Sequence, residues 1–133
     1  MEQVSTKSPN GEMLLRTLAM PADTNANGDI FGGWIMSQLD LAGGMLAKEI
    51  SGGRIATVSV SSMTFKRPVS VGAVVCCHGK CAKIGRTSMS IDLEVWVRPV
   101  SNAGMGERYM VCDATFNYVA IDDDGRPRPI KPD

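Results

Sequence analysis

The sequence predicts an α+β fold in which a largely antiparallel sheet of about five strands is wrapped around one long central helix. Three observations lead there: a proline-free helical stretch at 34–50 that is apolar on nearly every side, period-two alternation beyond residue 55, and links of hairpin length between the alternating runs. A helix that is apolar all round needs a sheet to cover it. Strands joined by short links pair antiparallel.

Residues 1–12 are polar, contain Pro9 and Gly11, and read as a loose lead-in. A first strand is expected over 13–20 (MLLRTLAM), stopped by Pro21, which has no N–H to give a ladder. The stretch NANGDIFGGW at 25–34 then crowds two asparagines, an aspartate and three glycines in front of the apolar segment, which is turn chemistry placed at a helix start. Within 34–50, Ile35, Met36, Leu39, Leu41, Ala42, Met45, Leu46 and Ala47 surround the axis, Lys48 and Glu49 mark the wet end, and Ser51-Gly52-Gly53 terminates the helix. Period-two runs follow at 55–65, 74–84, 87–98 and 108–121. In 87–98, Met89, Ile91, Leu93, Val95 and Val97 share one face, and Ser88, Ser90, Asp92, Glu94 and Trp96 the other. Residues 66–68, 84–86 and 101–106 read as connections, and the charged, proline-rich tail at 122–133 is expected to leave the sheet. The chain, 1–133, reads as one domain with the outline of a hot-dog fold, a helix inside a curled sheet.

Fourteen basic side chains balance fourteen acidic ones, so no global field recommends nucleic acid or an anionic membrane as a partner. The opening MEQVSTKSPNGE lacks the basic-then-apolar pattern of a secretory signal, and every apolar run falls short of the roughly 20 residues of a membrane helix. A cytoplasmic location is the expectation, with Cys76, Cys77, Cys81 and Cys112 as reduced thiols.

Several chemistries drop out early. The one histidine, His78, falls in a predicted strand beside two cysteines, a poor place for a nucleophile–histidine–acid triad or for the histidine–acid pair of a dehydratase. Cys76 and Cys77 point to opposite faces of a strand, so the cluster with Cys81 is not expected to hold a metal. Neither a Walker phosphate loop nor a dinucleotide fingerprint is present.

What remains is Asp40, a carboxylate among Met36, Leu39, Leu41, Gly43 and Gly44. Holding it ionised on a buried helix is costly unless a neighbour, solvent or substrate compensates, and one alternative is a carboxylate that only hydrogen-bonds nearby backbone. Ahead of it, Gly32 and Gly33 can present backbone N–H groups at a helix start, where the dipole favours negative charge. Asn25 and Asn27 are either turn residues or amides aimed at a polar substrate atom. Gly32 and Asp40 are separated by roughly 12 Å along one helix, at about 1.5 Å per residue. If both serve one carbonyl, the second group comes from an antiparallel helix of another subunit, which means a two-fold dimer.

LRTLAMPADTNANGDIFGGWIMSQLDLAGGMLAKEI, with VSSMTFKRPVSVG, VVCCHGKCAKIGRTS and IDLEVWV, resembles the YciA-type acyl-CoA thioester hydrolases over residues 13–121. The resemblance implies a hot-dog thioesterase that cleaves acyl-CoA to acid and CoA, with CoA as part of the substrate and no cofactor. It implies Asp40 as general base or nucleophile, the Gly32 N–H as oxyanion donor to the neighbouring subunit's substrate, and Asn25 as a positioning group. Phe31 stands where many thioesterases of the wider superfamily carry histidine. Trimers of dimers, hence a hexamer, are also implied. For the CoA phosphates, Arg86, Thr87, Ser88, Lys66 and Arg67 lie at predicted strand ends. A hot-dog protein that binds acyl-CoA without turnover is the alternative reading.

Overall fold

The computed structural model describes residues 8–101 and 103–130, so residues 1–7 of the expected lead-in and 131–133 of the tail lie outside the described residues. In chain order the elements are β1 (Glu12–Leu18), a 3₁₀ turn (Pro21–Asp23), α1 (Gly32–Ser51), β2 (Ile55–Phe65), β3 (Val74–Ile84), β4 (Ser88–Arg98), β5 (Val100–Ser101), β6 (Gly104–Met105) and β7 (Tyr109–Ala120). Five strands form one antiparallel sheet in the order β1-β3-β4-β7-β2, and α1 packs across it as in a hot-dog fold. The segment expected as a plain connection at 101–106 contributes to a small ribbon of β5 with β6.

Alternation fixes which side chains enter the core. Val75 and Cys77 of β3, Met89, Ile91, Leu93, Val95 and Val97 of β4, and Ala114, Phe116 and Tyr118 of β7 are buried against Ile35, Leu39, Ala42, Leu46 and Ala47 of α1. Each large side chain so buried contributes roughly 1.5–3 kcal/mol. The helix residues follow the spacing of a single face. One chain's sheet therefore covers one side of α1, not all of it as the sequence pattern suggested. Around the rest of the helix Phe31, Met36, Leu41 and Met45 remain 40–57% exposed.

The link after β2 also differs from expectation. Although β2 and β3 are consecutive, they are not neighbours, because β2 pairs with β7 at one edge and β3 lies next to β1 near the other. Residues 66–73 are therefore a crossing, not a hairpin. Val69 is buried and its carbonyl accepts the Ile30 N–H at 3.0 Å, while Ala73 O accepts the Ala19 N–H at 3.1 Å. This crossing brings Lys66, Arg67 and Pro68 beside the start of α1.

Beyond β7 the chain folds back instead of leaving the sheet. Arg128 donates from Nε to Ile121 O (2.8 Å), from Nη1 to Ser51 O (3.1 Å) and from Nη2 to Arg54 O (3.2 Å), tying the tail to the last turn of α1 and the start of β2. A cation at a helix C-terminus satisfies carbonyls that have no intrahelical donor and complements the dipole. Gly52, at φ 76°, closes that helix in the left-handed region. Arg128→Ala is expected to lower stability by about 2 kcal/mol, read as a fall of several degrees in melting temperature. An unchanged melting temperature would show that the staple contributes nothing. Among the described residues no helix is long and apolar enough to cross a membrane.

Candidate active site

The turn-formers ahead of α1 build its first turn. Asn25 Oδ1 accepts the N–H groups of Asn27 (2.8 Å) and Asp29 (3.2 Å), Gly28 N donates to Asn25 O (3.0 Å), and Phe31 N donates to Asp23 O (2.9 Å). The loop is thus held while the amide nitrogen of Asn25 keeps its hydrogens free of any described partner. Trp34 and Ile35 both donate to Phe31 O, but the N–H groups of Gly32 and Gly33 meet no acceptor among the described residues. Gly32 lines a cleft of about 380 Å³ together with Asn25, Phe65, Lys66, Arg67 and Val69, among others. Unpaired donors at the positive end of a helix dipole suit an oxygen that gains negative charge.

Asp40 lies two turns further along the helix and is half-buried. Its Oδ1 accepts the Thr57 hydroxyl at 2.7 Å and the Tyr118 hydroxyl at 3.1 Å, whereas Oδ2 meets no donor among the described residues. Two hydroxyl donors answer the cost of holding a carboxylate there, since hydrogen bonds to charged groups contribute about 1.5–3 kcal/mol each. The influence is mutual: burial first, then the Asp40 charge and the hydrogen bond, push the Tyr118 phenol above its ordinary value. Thr57 and Tyr118 are directly paired across β2 and β7. Neither was anticipated from the sequence. The available signal was parity, because Thr57 shares the inward face of β2 with Ile55 and is polar there.

Within one chain the predicted site residues fall into three groups. Asn25, Gly32, Lys66 and Arg67 meet at the cleft, Asp40 sits in mid-helix outside it, and Arg86 and Thr87 lie in the β3–β4 turn with Ser88 opening β4. That turn is pinned near the far end of α1, where Ala120 N donates to Thr87 O (2.8 Å) and Ile130 N to Arg86 O (2.9 Å). The two basic residues after β2 are partly engaged. Lys66 Nζ lies 3.6 Å from Asp113, and the Arg67 guanidinium lies 3.8 Å over the Tyr109 ring. Edge strand β2, which meets the Asp40 side of the helix through Thr57, carries exposed Val58, Val60 and Phe65, while Phe31, Met36, Leu41 and Met45 are exposed around the helix. A second hollow, on the outer sheet face, is lined by Asp92, Glu94 and Asp113 and would repel an anionic substrate.

The two buried cysteines offer no nucleophile. Burial pushes Cys77 up to about 12 and Cys112 up to about 11, so both stay thiols near neutral pH. Cys76 points to the other side of β3 from Cys77, as alternation requires.

The Thioesterase superfamily model matches residues 27–101 of this chain. The acyl-CoA thioester hydrolase YciA of Salmonella typhimurium is 62% identical over 123 residues, covering 92% of each chain. Among solved structures, a hexameric broad-specificity acyl-coenzyme A thioesterase superposes with TM-score 0.89 at 59% identity, over 96% of this chain and 86% of the other. A hexameric thioesterase from Yersinia pestis also gives TM-score 0.89, at 58% identity over 95% of this chain and all of the other.

Proposed function

This chain belongs to the thioesterase superfamily as a YciA-type acyl-CoA thioester hydrolase, and we propose that it cleaves acyl-CoA to free acid and CoA in a site shared by two protomers. The observation that carries the shared site is a separation. A carboxylate with one open oxygen and a pair of unpaired N–H groups lie about 12 Å apart on one helix, too far to serve the same carbonyl. A second α1 running antiparallel along the Asp40 side of the helix would bring Asp40 of each chain toward the first turn of the other, and would cover Met36 as well.

In this reading the thioester carbonyl oxygen rests on the Gly32 N–H of one protomer. Oδ2 of Asp40 from the other takes a proton from water as the water oxygen attacks the carbonyl carbon; the C–S bond breaks, the acid is released, and the proton held by Asp40 passes to the CoA thiolate. In the direct route Oδ2 itself attacks, the C–S bond breaks to leave an acyl-aspartyl anhydride, and water then hydrolyses that anhydride, releasing the acid, restoring the carboxylate and supplying the proton to the CoA thiolate. Negative charge developing on the carbonyl oxygen is met by the helix start, where one well-aimed donor contributes about 3 kcal/mol. Asn25 offers its amide hydrogens to substrate or water, its oxygen being occupied by the turn. Arg86, Thr87 and Ser88, at the far end of α1, would come from the same protomer as Asp40 and grip phosphate. Arg67, rigid over Tyr109, suits that task better than Lys66, which is drawn to Asp113. No cofactor or metal enters the scheme, the location is cytoplasmic, and the assembly is a trimer of dimers.

Incubation of purified protein with acyl-CoAs of graded chain length, with a thiol reagent to trap CoA, is expected to give turnover on several of them. No release from any acyl-CoA, with CoA still raising the melting temperature, would overturn hydrolysis in favour of a binding protein.

A further inference from the structure

We infer that Tyr118 is a positioning residue for Asp40, its hydroxyl holding the plane of the carboxylate so that one oxygen is left open toward the substrate. The inference rests on the reading of Asp40 as the reacting carboxylate. Tyr118 sits on β7, flanked by hydrogen-bonded strands on both sides, with Met89 of β4 and Thr57 of β2 as its register partners. Its ring is fully buried and stacked with Phe116 at 6.3 Å between centroids. Its hydroxyl lies 3.1 Å from Asp40 Oδ1 and 3.2 Å from Asp40 O.

Gly43 makes that reach possible. It lies on the helix face that meets the sheet, three residues after Asp40, and a Cβ there would collide with the Tyr118 hydroxyl and press on Leu93. Glycine weakens a helix interior relative to alanine, and here the missing side chain is the space that the phenol occupies. Thr57 and Tyr118, paired across neighbouring strands, both donate to Oδ1 and engage its lone pairs. Oδ2 is left as the oxygen that can accept a proton or attack. Because burial and the adjacent carboxylate hold the phenol protonated, it remains a donor through the neutral range and does not compete as a base. Turning the carboxylate out of this plane would break both hydrogen bonds, and a half-turn only exchanges two equivalent oxygens, so the plane is set by donors anchored on the sheet.

Tyr118→Phe keeps the ring and removes only the hydroxyl. The expected result is a fall in kcat of about 10- to 100-fold, with KM for acyl-CoA within about twofold, the oligomeric state unchanged, and a melting temperature lower by several degrees yet well above the assay temperature, so that the protein assayed is folded. Gly43→Ala, which displaces the hydroxyl by crowding, is expected to lower kcat in the same way in whatever fraction of the protein remains folded. Full kcat in Tyr118→Phe, beside an inactive Asp40→Ala, would overturn the inference and leave the role of Asp40 standing. Full activity in both would overturn the reading beneath it. A rise in KM at constant kcat, or a kcat loss matched by loss of folded protein, would make Tyr118 a binding or packing residue and also overturn the inference.

Discussion

Asp40→Ala is expected to lose about 10³-fold in kcat against every acyl-CoA that the parent hydrolyses, with little change in fold. The scheme contains no second base: His78 lies on β3 with its Nδ1 3.3 Å from Gly11 O, and the buried thiols of Cys77 and Cys112 are held protonated. Removing the carboxylate leaves the hydroxyls of Thr57 and Tyr118 without their acceptor, a modest cost set against relief from burying a charge. Stability should therefore move far less than rate. The measurement is steady-state kinetics beside a thermal melt, and a variant that keeps its kcat removes Asp40 from the chemistry.

Gly32→Pro is expected to cost about 10²–10³-fold in kcat, the usual loss when one oxyanion donor is removed. Proline is well suited as the probe. Gly32 is the first residue of α1, where proline is favoured because that N–H has no intrahelical acceptor, and Phe31 already holds the extended conformation that proline demands of its predecessor. A Cβ at residue 32 would meet the Phe65 ring at 3.5 Å, ordinary contact distance. The substitution thus replaces the N–H by a ring methylene and leaves the helix. Kinetics on the purified variant decide it, and an unimpaired kcat would show that the Gly32 N–H does not bear the carbonyl's charge.

The elements themselves were legible because alternation and turn chemistry are local. Met89 to Val97 announce β4, and NANGDIFGG announces the start of α1. Strand order was not, since nothing in residues 66–73 tells a hairpin from a crossing until Val69 is seen buried beneath the helix start. Asp40 could be singled out as an acid in an apolar segment. Its partners could not, because Tyr118 is 78 residues away and becomes a neighbour only when β7 takes its place beside β2. Lys66 could not be told from Arg67 for a similar reason: which of them is diverted depends on Asp113 and Tyr109, brought alongside by sheet register. The apolar circumference of α1 was read as the mark of a helix wrapped by its own sheet. In one chain it is half covered, and the excess is explained by a second copy.

Whether one site draws on two protomers is tested most directly by complementation between the two inactive variants. Asp40→Ala and Gly32→Pro chains, co-expressed in equal amounts, form mixed dimers. In each, one site receives Asp40 from the Gly32→Pro chain and the intact Gly32 N–H from its partner. With random pairing about half the dimers are mixed and each restores one site of two, so a shared site predicts about a quarter of the parent's activity. Activity no greater than the average of the two variants assayed separately would contradict it and place the carboxylate and the N–H groups in different reactions or in one chain.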